Sequence, residues 1–261
     1  DIDKSEINKN VTADVAIVAD CKVSLPAITR LLDKSTHKEW IESFGPLAEL
    51  ENEKVIQPAI NPKEGPLLMG EVVNAVAEAT KGDAVLVTDV GQNQMFSCRY
   101  FKYNKKRSIV SSGGLGTMGF AIPAAMGAAF AAPDRTICMF AGDGGFQMSI
   151  QELGTIMEHR VPVKMILLNN NYLGNVRQWQ DMFFQGRKSF TKMANPMYKC
   201  IAEGYDIPYS AVTERADLKA EVEKMINTDG PYILECAIKE EDNVMPMTPL
   251  GKPVDEMLLE I

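Results

Sequence analysis

Histidine is scarce in this sequence, and the cysteines are not paired. Only two histidines, His37 and His159, occur in 261 residues. This argues against a histidine-rich zinc or iron site, which needs several imidazole ligands. The five cysteines are scattered, and none belongs to a C-x-x-C pair. We therefore expect free thiols in a reducing compartment rather than a disulfide framework.

The sequence also lacks an excess of positive charge and any long apolar run. Its net charge of −8 argues against a surface for nucleic acid or anionic membranes. No apolar run approaches the roughly 20 residues that cross a bilayer, and no secretory signal is visible. We therefore expect a cytoplasmic protein with small-molecule partners. The first residue is Asp1 rather than Met, so we expect a piece of a longer protein.

From Pro66 onward, strand patterns alternate with helix patterns. Apolar runs such as "DAVLVT", "RTICMFAG" and "VPVKMILLN" are typical of buried strands. The segments between them, such as "QMSIQELGTIMEH", have the spacing of helices. This alternation predicts an α/β fold, with a doubly wound, mainly parallel sheet and helices on both faces.

The first fifty residues have a different pattern. "VAIVAD" predicts a short strand over residues 15–20, and "CKVSLPAITRLLDK" predicts a helix after it. One strand and two helices cannot bury a core by themselves. We therefore expect residues 1–52 to be the end of a preceding domain plus a linker. Residues 53–261 would form a second domain with a C-terminal tail.

Glycine-rich or amide-rich segments follow the predicted strands. They read "TDVGQNQ", "SSGGLGTMGF", "AGDGGF" and "LNNNYLG". Ligands of parallel α/β sheets bind beyond the carboxyl ends of the strands, and glycines let them approach the backbone. Asp143 in the third segment and Asn170 in the fourth offer hard oxygen ligands, too few for a calcium cage but suited to Mg²⁺ that also holds phosphate oxygens. The pattern predicts a Mg²⁺-diphosphate site.

The glycines also fit two alternative structures. "GGLGTMG" contains G-x-G-x-x-G at Gly114, Gly116 and Gly119, which is the fingerprint of NAD-binding domains. The short, polar strand pattern "RSIVSS" in front of it weakens that prediction. The glycines around Asp143 could instead form a plain turn in which Asp143 caps a helix.

The combination of Gly142-Asp143-Gly144 with Asn169-Asn170 resembles the diphosphate-binding motif of thiamine-diphosphate enzymes. Together with "TDVGQNQM", "SSGGLGTMGFAIPAAMGAA", "NNNYLGNVRQWQ" and "NVMPMTPLG", it resembles the large catalytic subunit of acetolactate synthase (acetohydroxyacid synthase). The resemblance covers residues 53–261 as that family's C-terminal domain. Residues before them resemble the end of its central, FAD-binding domain.

The resemblance implies a role for each matching residue. Asp143 and Asn170 would bind Mg²⁺ through their side chains, and Tyr172 through its backbone carbonyl. Asn175, Val176 and Trp179 would line the substrate pocket. The cofactor thiamine diphosphate would contact Val90, Gly91, Gln92, Asn93, Gly116, Met118, Asp143, Gly144, Gly145, Asn170, Tyr172, Leu173 and Gly174. The family usually has His in place of Asn93 and Met in place of Asn175.

A helix that begins near Gly174 would place Val176, Trp179 and Phe183 on one face. Its first turns follow the asparagines, so we expect Trp179 to reach the substrate channel and Phe183 to pack inside. Without the resemblance, Trp179 in "RQWQDMFF" would more simply be a core aromatic.

The implied activity is decarboxylation of pyruvate and its joining to a second 2-keto acid, in branched-chain amino-acid biosynthesis. The family's activating glutamate belongs to an N-terminal domain with no counterpart here, so this chain alone would be inactive. The implied assembly is a homodimer or tetramer, with FAD in the full-length enzyme and a small regulatory subunit as a further partner. Two alternatives remain: a pyruvate oxidase or 2-keto acid decarboxylase, and a nicotinamide-dependent dehydrogenase domain.

Overall fold

The computed structural model describes residues 1–249 and 251–259. It divides into two compact units, Asp1–Glu49 and Leu50–Ile261, and each is described by itself. No helix among the described residues is long and apolar enough to cross a membrane.

The first unit contains short helices and no buried residue. A 3-10 turn covers Lys4–Glu6, and the α-helices are α1 (Cys21–Thr29) and α2 (Lys38–Glu42). The Asp20 side chain caps α1 by accepting the Lys22 N–H at 2.7 Å. The strand predicted over residues 15–20 is wrong, because the chain there is irregular and Val15 is 81% exposed. A lone strand has no neighbour in this unit to pair with.

The second unit contains six strands, and its helices precede and connect them. The helices are α3 (Gly45–Glu51, which begins in the first unit), a π-helical turn (Asn52–Ile56), α4 (Gln57–Ile60), α5 (Met69–Ala79), α6 (Gln92–Tyr100), α7 (Ala121–Ala131), α8 (Asp143–Met148), a 3-10 turn (Ile150–Glu152), α9 (Leu153–His159), α10 (Gly174–Phe183), α11 (Tyr198–Gly204) and α12 (Arg215–Asn227). The strands are β1 (Val85–Thr88), β2 (Ile109–Ser111), β3 (Ile137–Gly142), β4 (Val163–Asn169), β5 (Tyr209–Val212) and β6 (Tyr232–Ala237).

All six strands are parallel, in the order β2-β1-β3-β4-β6-β5. The chain leaves β1 toward one edge of the sheet and leaves β3 toward the other. Where two adjacent strands send their connections in opposite directions, a crevice opens at their carboxyl ends. The topology therefore provides a binding crevice beyond β1 and β3.

Each face of the sheet is covered by its own apolar core, as the sequence pattern predicts. Along β3, Cys138 and Phe140 pack with residues of α5, α6 and α12, whereas Met139 and Ala141 pack with residues of α7, α9 and α11. This alternation follows from the two-residue period of a strand. The doubly wound α/β prediction is confirmed.

One element of the sheet carries no clear signal in the sequence. The edge strand β5 has only four residues, three of them partly exposed or exposed, so its letters "YSAV" lack the apolar run that marks the central strands. It is held by pairing with β6, for example Ala211 opposite Glu235.

Candidate functional site

A pocket lies at the carboxyl ends of β1, β3 and β4, in the crevice that the topology provides. Its lining consists of Met69, Val90, Gly91, Gln92, Asn93, Met118, Gly142, Asp143, Gly144, Gly145, Leu168, Asn170, Tyr172, Leu173, Gly174, Asn175 and Val176. Every residue that the sequence assigns to the cofactor lines this pocket, except Gly116. Five separate segments of the chain, around residues 69, 90–93, 118, 142–145 and 168–176, therefore meet at one place.

Gly116 lies beside this pocket rather than in its lining. A Cβ atom added there would be 3.9 Å from Cγ1 of Val90, which does line the pocket. Gly116 has φ of +62°, a conformation that glycine adopts without strain. The glycine loop after β2 thus approaches the pocket at Val90 and contributes Met118 to its lining.

Asp143 is the first residue of α8, directly after β3, and its side chain is buried. One carboxylate oxygen, Oδ1, accepts the N–H of Gly144 at 3.0 Å, and Oδ2 accepts Nδ2 of Asn195 at 2.7 Å. Burial raises the pKa of Asp143, and the hydrogen bonds from Asn195 and the backbone oppose that rise. A buried carboxylate of this kind is stabilised by a nearby cation.

Asn170 and Tyr172 follow β4 on a tight bend. The side-chain oxygen of Asn170 accepts the Tyr172 N–H at 3.2 Å, and Asn171 has φ of +56°. A later segment of the chain holds this bend in place, because Leu173 donates its N–H to the Thr191 carbonyl at 2.8 Å. The bend brings an amide oxygen and backbone carbonyls to the pocket that Asp143 lines.

The donor set of the pocket suits a small, hard cation. It offers one carboxylate, one amide oxygen and the backbone of Tyr172, and magnesium sites in proteins commonly use one or two carboxylates and complete their shell with phosphate oxygens and water. No group of three or more His, Cys, Asp or Glu side chains among the described residues could hold a metal. A cation here would therefore need ligands from outside the protein.

The glycines of the pocket are required by packing as well as by ligand access. A Cβ on Gly174 would overlap Oε1 of Gln92, and a Cβ on Gly144 would lie 2.8 Å from Cδ2 of Leu173. Gly174 is also the first residue of α10, and a helix N-terminus attracts phosphate groups. A side chain at either position would displace a neighbouring residue of the pocket wall.

Gln92 and Asn93 begin α6 and form the β1 side of the pocket. Gln92 Nε2 donates to Oε1 of Gln178 at 2.9 Å and to the Asp242 carbonyl at 2.8 Å. Asn93 Nδ2 donates to the Val90 carbonyl at 3.0 Å, whereas its buried Oδ1 has no partner. Asn93 therefore brings a free hydrogen-bonding atom to the site.

A second, more open groove adjoins the pocket and shares Asn175 and Val176 with it. Its lining is Asn175, Val176, Trp179, Gln180, Phe184 and Arg187. Trp179 is partly buried and meets Phe183 edge to face, with ring centroids 5.2 Å apart. The expectation that Phe183 packs inside is wrong, since Phe183 is 37% exposed.

Phe183 is exposed because helix α10 buries its polar face. Arg177 and Gln178 are fully buried. Arg177 donates to the Asp242 carbonyl at 2.7 Å and to Oδ1 of Asn243 at 2.8 Å, and Gln178 Oε1 accepts the Val244 N–H at 2.9 Å. These bonds hold residues 242–244 against the helix, so its aromatic face is left toward the groove.

Several residues at the site carry no signal in the sequence. Asn195 contacts Asp143 from a loop before α11, and Met69 lines the pocket from the start of α5. Gln178 holds Gln92 from inside α10. Asparagine before proline predicts only a turn, so nothing local to Asn195 indicates its partner.

Comparison with known proteins identifies the class to which this pocket belongs. The family described as thiamine pyrophosphate enzyme, C-terminal TPP binding domain, matches residues 89–236. The chain belongs to this family. Its fold and thiamine diphosphate as its cofactor are thereby confirmed as the resemblance implied, and a nicotinamide-binding domain is not favoured.

Comparison with individual relatives narrows the class of enzyme to which the chain is similar. The chain is 38% identical to acetolactate synthase 1, chloroplastic, of Nicotiana tabacum over 269 residues, which cover 100% of this chain and 40% of the relative. It is 37% identical to acetolactate synthase isozyme 2 large subunit of Escherichia coli (strain K12), over 99% of the chain and 46% of the relative. It is 36% identical to the acetolactate synthase large subunit of Lactococcus lactis subsp. lactis (strain IL1403), over 99% and 44%. The chain thus spans less than half the length of these relatives.

Proposed function

We propose that this chain is the cofactor-binding C-terminal part of an acetolactate synthase catalytic subunit. The observation that carries the proposal is the meeting of the Gly142-Asp143-Gly144 loop and the Asn169-Asn170 loop at one pocket. Identity of 36–38% to three acetolactate synthases along nearly the whole chain supports it. Residues 1–52 would be the end of the preceding, FAD-type domain plus a linker, and residues 53–261 the thiamine-diphosphate domain.

In this proposal Asp143, Asn170 and the Tyr172 carbonyl hold Mg²⁺, and the metal holds the cofactor's diphosphate. The buried carboxylate and the two neutral oxygens support this assignment. The bare backbone of Gly144 and the N-terminus of α10 at Gly174 favour phosphate oxygens beside the metal.

The remaining pocket residues orient the cofactor and exclude water. Bound thiamine diphosphate supplies a nucleophilic carbon that adds to the keto carbon of pyruvate, so that CO₂ can leave and the two-carbon unit can join a second 2-keto acid. Val90, Gly91, Gln92, Asn93, Gly145 and Leu173 surround the diphosphate. The Asn93 amide would turn over to donate to a phosphate oxygen, because the atom that it leaves free is Oδ1, an acceptor. Met118 would face the aminopyrimidine, where its thioether would provide an apolar support, and Gly116 would lie beside Val90 in the same loop.

The acceptor 2-keto acid would bind in the groove beside the pocket. Val176 and the partly buried Trp179 offer an apolar surface there, and Asn175 adds an amide at the boundary between groove and pocket. An amide at that boundary makes the acceptor site more polar than the methionine usual in the family, so Asn175 would influence which 2-keto acid is accepted.

The whole protein would be a cytoplasmic homodimer or tetramer that carries FAD and binds a small regulatory subunit. The activating glutamate would come from an N-terminal segment that this chain does not span. The five cysteines are free, which is consistent with a reducing compartment. We use "full-length protein" below for this chain together with the further segments that its relatives have.

The proposal is tested by product analysis with pyruvate, thiamine diphosphate and Mg²⁺. The full-length protein is expected to form 2-acetolactate, and this chain alone is expected to form none. Release of free acetaldehyde, or consumption of oxygen with acetate or acetyl phosphate as product, would instead identify a decarboxylase or an oxidase. Acetolactate formation by the isolated chain at the rate of the full-length protein would contradict the division of the active site.

A further inference from the structure

Asn195 connects the two motif loops through a single nitrogen atom. Its Nδ2 lies 2.7 Å from Oδ2 of Asp143, 2.9 Å from Oδ1 of Asn169 and 3.1 Å from Oδ1 of Asn171. An amide nitrogen has two hydrogens, so the two shortest contacts are the bonds it makes together. One of these bonds ends on the loop after β3 and the other on the end of β4.

The orientation of the Asn195 amide is set from its other side. Gln147 Nε2 donates to Oδ1 of Asn195 at 2.9 Å, and the Tyr198 hydroxyl lies 3.2 Å from the same oxygen. The Gln147 nitrogen donates and the Tyr198 hydroxyl can donate as well as accept, whereas the Asp143 carboxylate on the opposite side only accepts, so the Asn195 oxygen faces Gln147 and Tyr198. The nitrogen is therefore directed toward the Asp143 carboxylate.

Resting on the function proposed above, we propose that Asn195 is a positioning residue for the magnesium site. It acts through Asp143 and does not touch the cofactor in this role. Asp143 Oδ1 is held by the Gly144 N–H and Oδ2 by Asn195, and two fixed oxygens define the plane of the carboxylate. Residues that hydrogen-bond to a metal ligand without touching the metal strongly affect the metal affinity of the site.

The same contact sets the separation between the metal ligands. Asn169 precedes Asn170 directly, and Asn169 Oδ1 shares the Asn195 nitrogen with Asp143. The Asn169 side chain is held in turn by Glu235 on β6, because Asn169 Nδ2 donates to Oε1 of Glu235 at 2.7 Å. Without Asn195, the ends of β3 and β4 would keep their sheet pairing, but the carboxylate and the asparagine loop would lose their common anchor.

The test compares Mg²⁺ titrations of thiamine diphosphate binding, followed by calorimetry, in the full-length protein. Asn195→Ala is expected to raise the Mg²⁺ concentration for half-saturation by about 10-fold to 100-fold, and excess Mg²⁺ is expected to restore cofactor affinity. The matched control is Asn104→Ala, which removes a side-chain amide bonded to the Lys81 carbonyl at 2.6 Å in a loop that does not line the pocket. The control should leave the Mg²⁺ dependence unchanged.

A second variant protects the test against a folding defect. Tyr198→Phe keeps the Asn195 nitrogen and removes a hydroxyl that lies 3.2 Å from Oδ1 of Asn195 and 3.3 Å from the Asp143 carbonyl oxygen. The support of the Asn195 amide is weakened, so a rise of about fivefold in the half-saturating Mg²⁺ is expected. If Asn195→Ala does not fold, the Tyr198→Phe variant decides whether Asn195 positions the metal site. An unchanged Mg²⁺ dependence, or a loss of affinity that excess Mg²⁺ does not restore, would overturn the positioning role. Absence of Mg²⁺-dependent binding in the unmodified protein would instead refute the proposed function.

Discussion

The loops after β1 and β3 each bury one carboxylate among glycines, yet the two carboxylates meet different partners. Asp89 accepts the N–H groups of Gly119 and Ala121 at 3.2 and 3.0 Å, and so fixes the start of α7. Asp143 lines the pocket and is held by Asn195. An acidic residue at the end of a strand is therefore a ligand candidate only when it also lines the pocket, as Asp143 does and Asp89 does not.

The largest expected effect is loss of cofactor binding on removal of Asp143. In the full-length protein, Asp143→Ala should lower thiamine diphosphate affinity at ordinary Mg²⁺ by more than about 100-fold, because a charged ligand contributes more than the groups behind it. Calorimetry measures the affinity at a temperature where the variant is folded, because removing the carboxylate also takes an acceptor from the Gly144 N–H and from the Asn195 amide. Normal affinity in this variant would remove Asp143 from the metal site.

Asp89→Ala is the reciprocal variant and should affect stability instead. It leaves the buried N–H of Ala121 without its acceptor, and an orphaned buried donor costs about 1–3 kcal/mol. Urea unfolding of the chain measures the loss. Thiamine diphosphate affinity of the full-length protein should stay near that of the unmodified protein at temperatures where the variant is folded. A selective loss of Mg²⁺-dependent binding would mean that both carboxylates serve the metal.

Gly145→Ala tests how closely the two loops are packed together. A Cβ at Gly145 would overlap Oδ1 of Asp89, and both residues are buried, so overpacking should cost about 1–3 kcal/mol. Gly114→Ala is the control: no atom lies within 4 Å of its added Cβ, and its effect should stay within about 0.5 kcal/mol. In unfolding experiments, Gly145→Ala should cost less in the Asp89→Ala background; additive costs would contradict the contact.

A third buried carboxylate, Asp242, is expected to make the stability of the chain depend on pH. Its Oδ2 accepts the Met69 N–H at 3.0 Å, and burial raises the pKa of Asp242 to about 6, against the opposing effects of that bond and of Lys239 and Arg177. The folded state thus binds this proton more tightly than the unfolded state. Its stabilising contribution is complete below about pH 4 and is lost as pH rises through about 6.

Asp242→Asn is therefore expected to be more stable than the unmodified chain at pH 7, by about 3 kcal/mol, and not at pH 4. The amide oxygen can still accept the Met69 N–H. Urea unfolding between pH 4 and pH 7 measures the difference, and an equal difference at both ends would show that Asp242 does not titrate in this range.

The smallest effect on stability is expected at Trp179, outside both loops. In the full-length protein, Trp179→Leu should change the ratio of 2-acetolactate to 2-aceto-2-hydroxybutyrate formed from pyruvate and 2-ketobutyrate. Trp179 is only partly buried, so the variant should lose less than the roughly 2–5 kcal/mol typical of large-to-small core changes. An unchanged product ratio with a large fall in melting temperature would make Trp179 a core residue.

The sequence by itself determined the layered fold and the two motif loops. Central strands such as β3 and β4 are runs of buried apolar residues, and such runs are local signals. Asp143 and Asn170 stand directly after those strands, and parallel strands end at the same edge of a sheet. The strand prediction therefore places both residues at one edge of the sheet, and the strand order of the structure makes β3 and β4 neighbours there.

Only the tertiary structure decided which side chains support the site and which faces are buried. Asn195 and Asp143 meet through a contact between distant parts of the chain, and no periodicity encodes such a contact. Helix α10 buries Arg177 and Gln178 because residues 242–244 supply their hydrogen-bond partners. The buried face of this helix is therefore the polar one, whereas apolar spacing predicts burial of the opposite face. A buried polar group is stable only with its partner in place, and that partner is known only once the chain has folded.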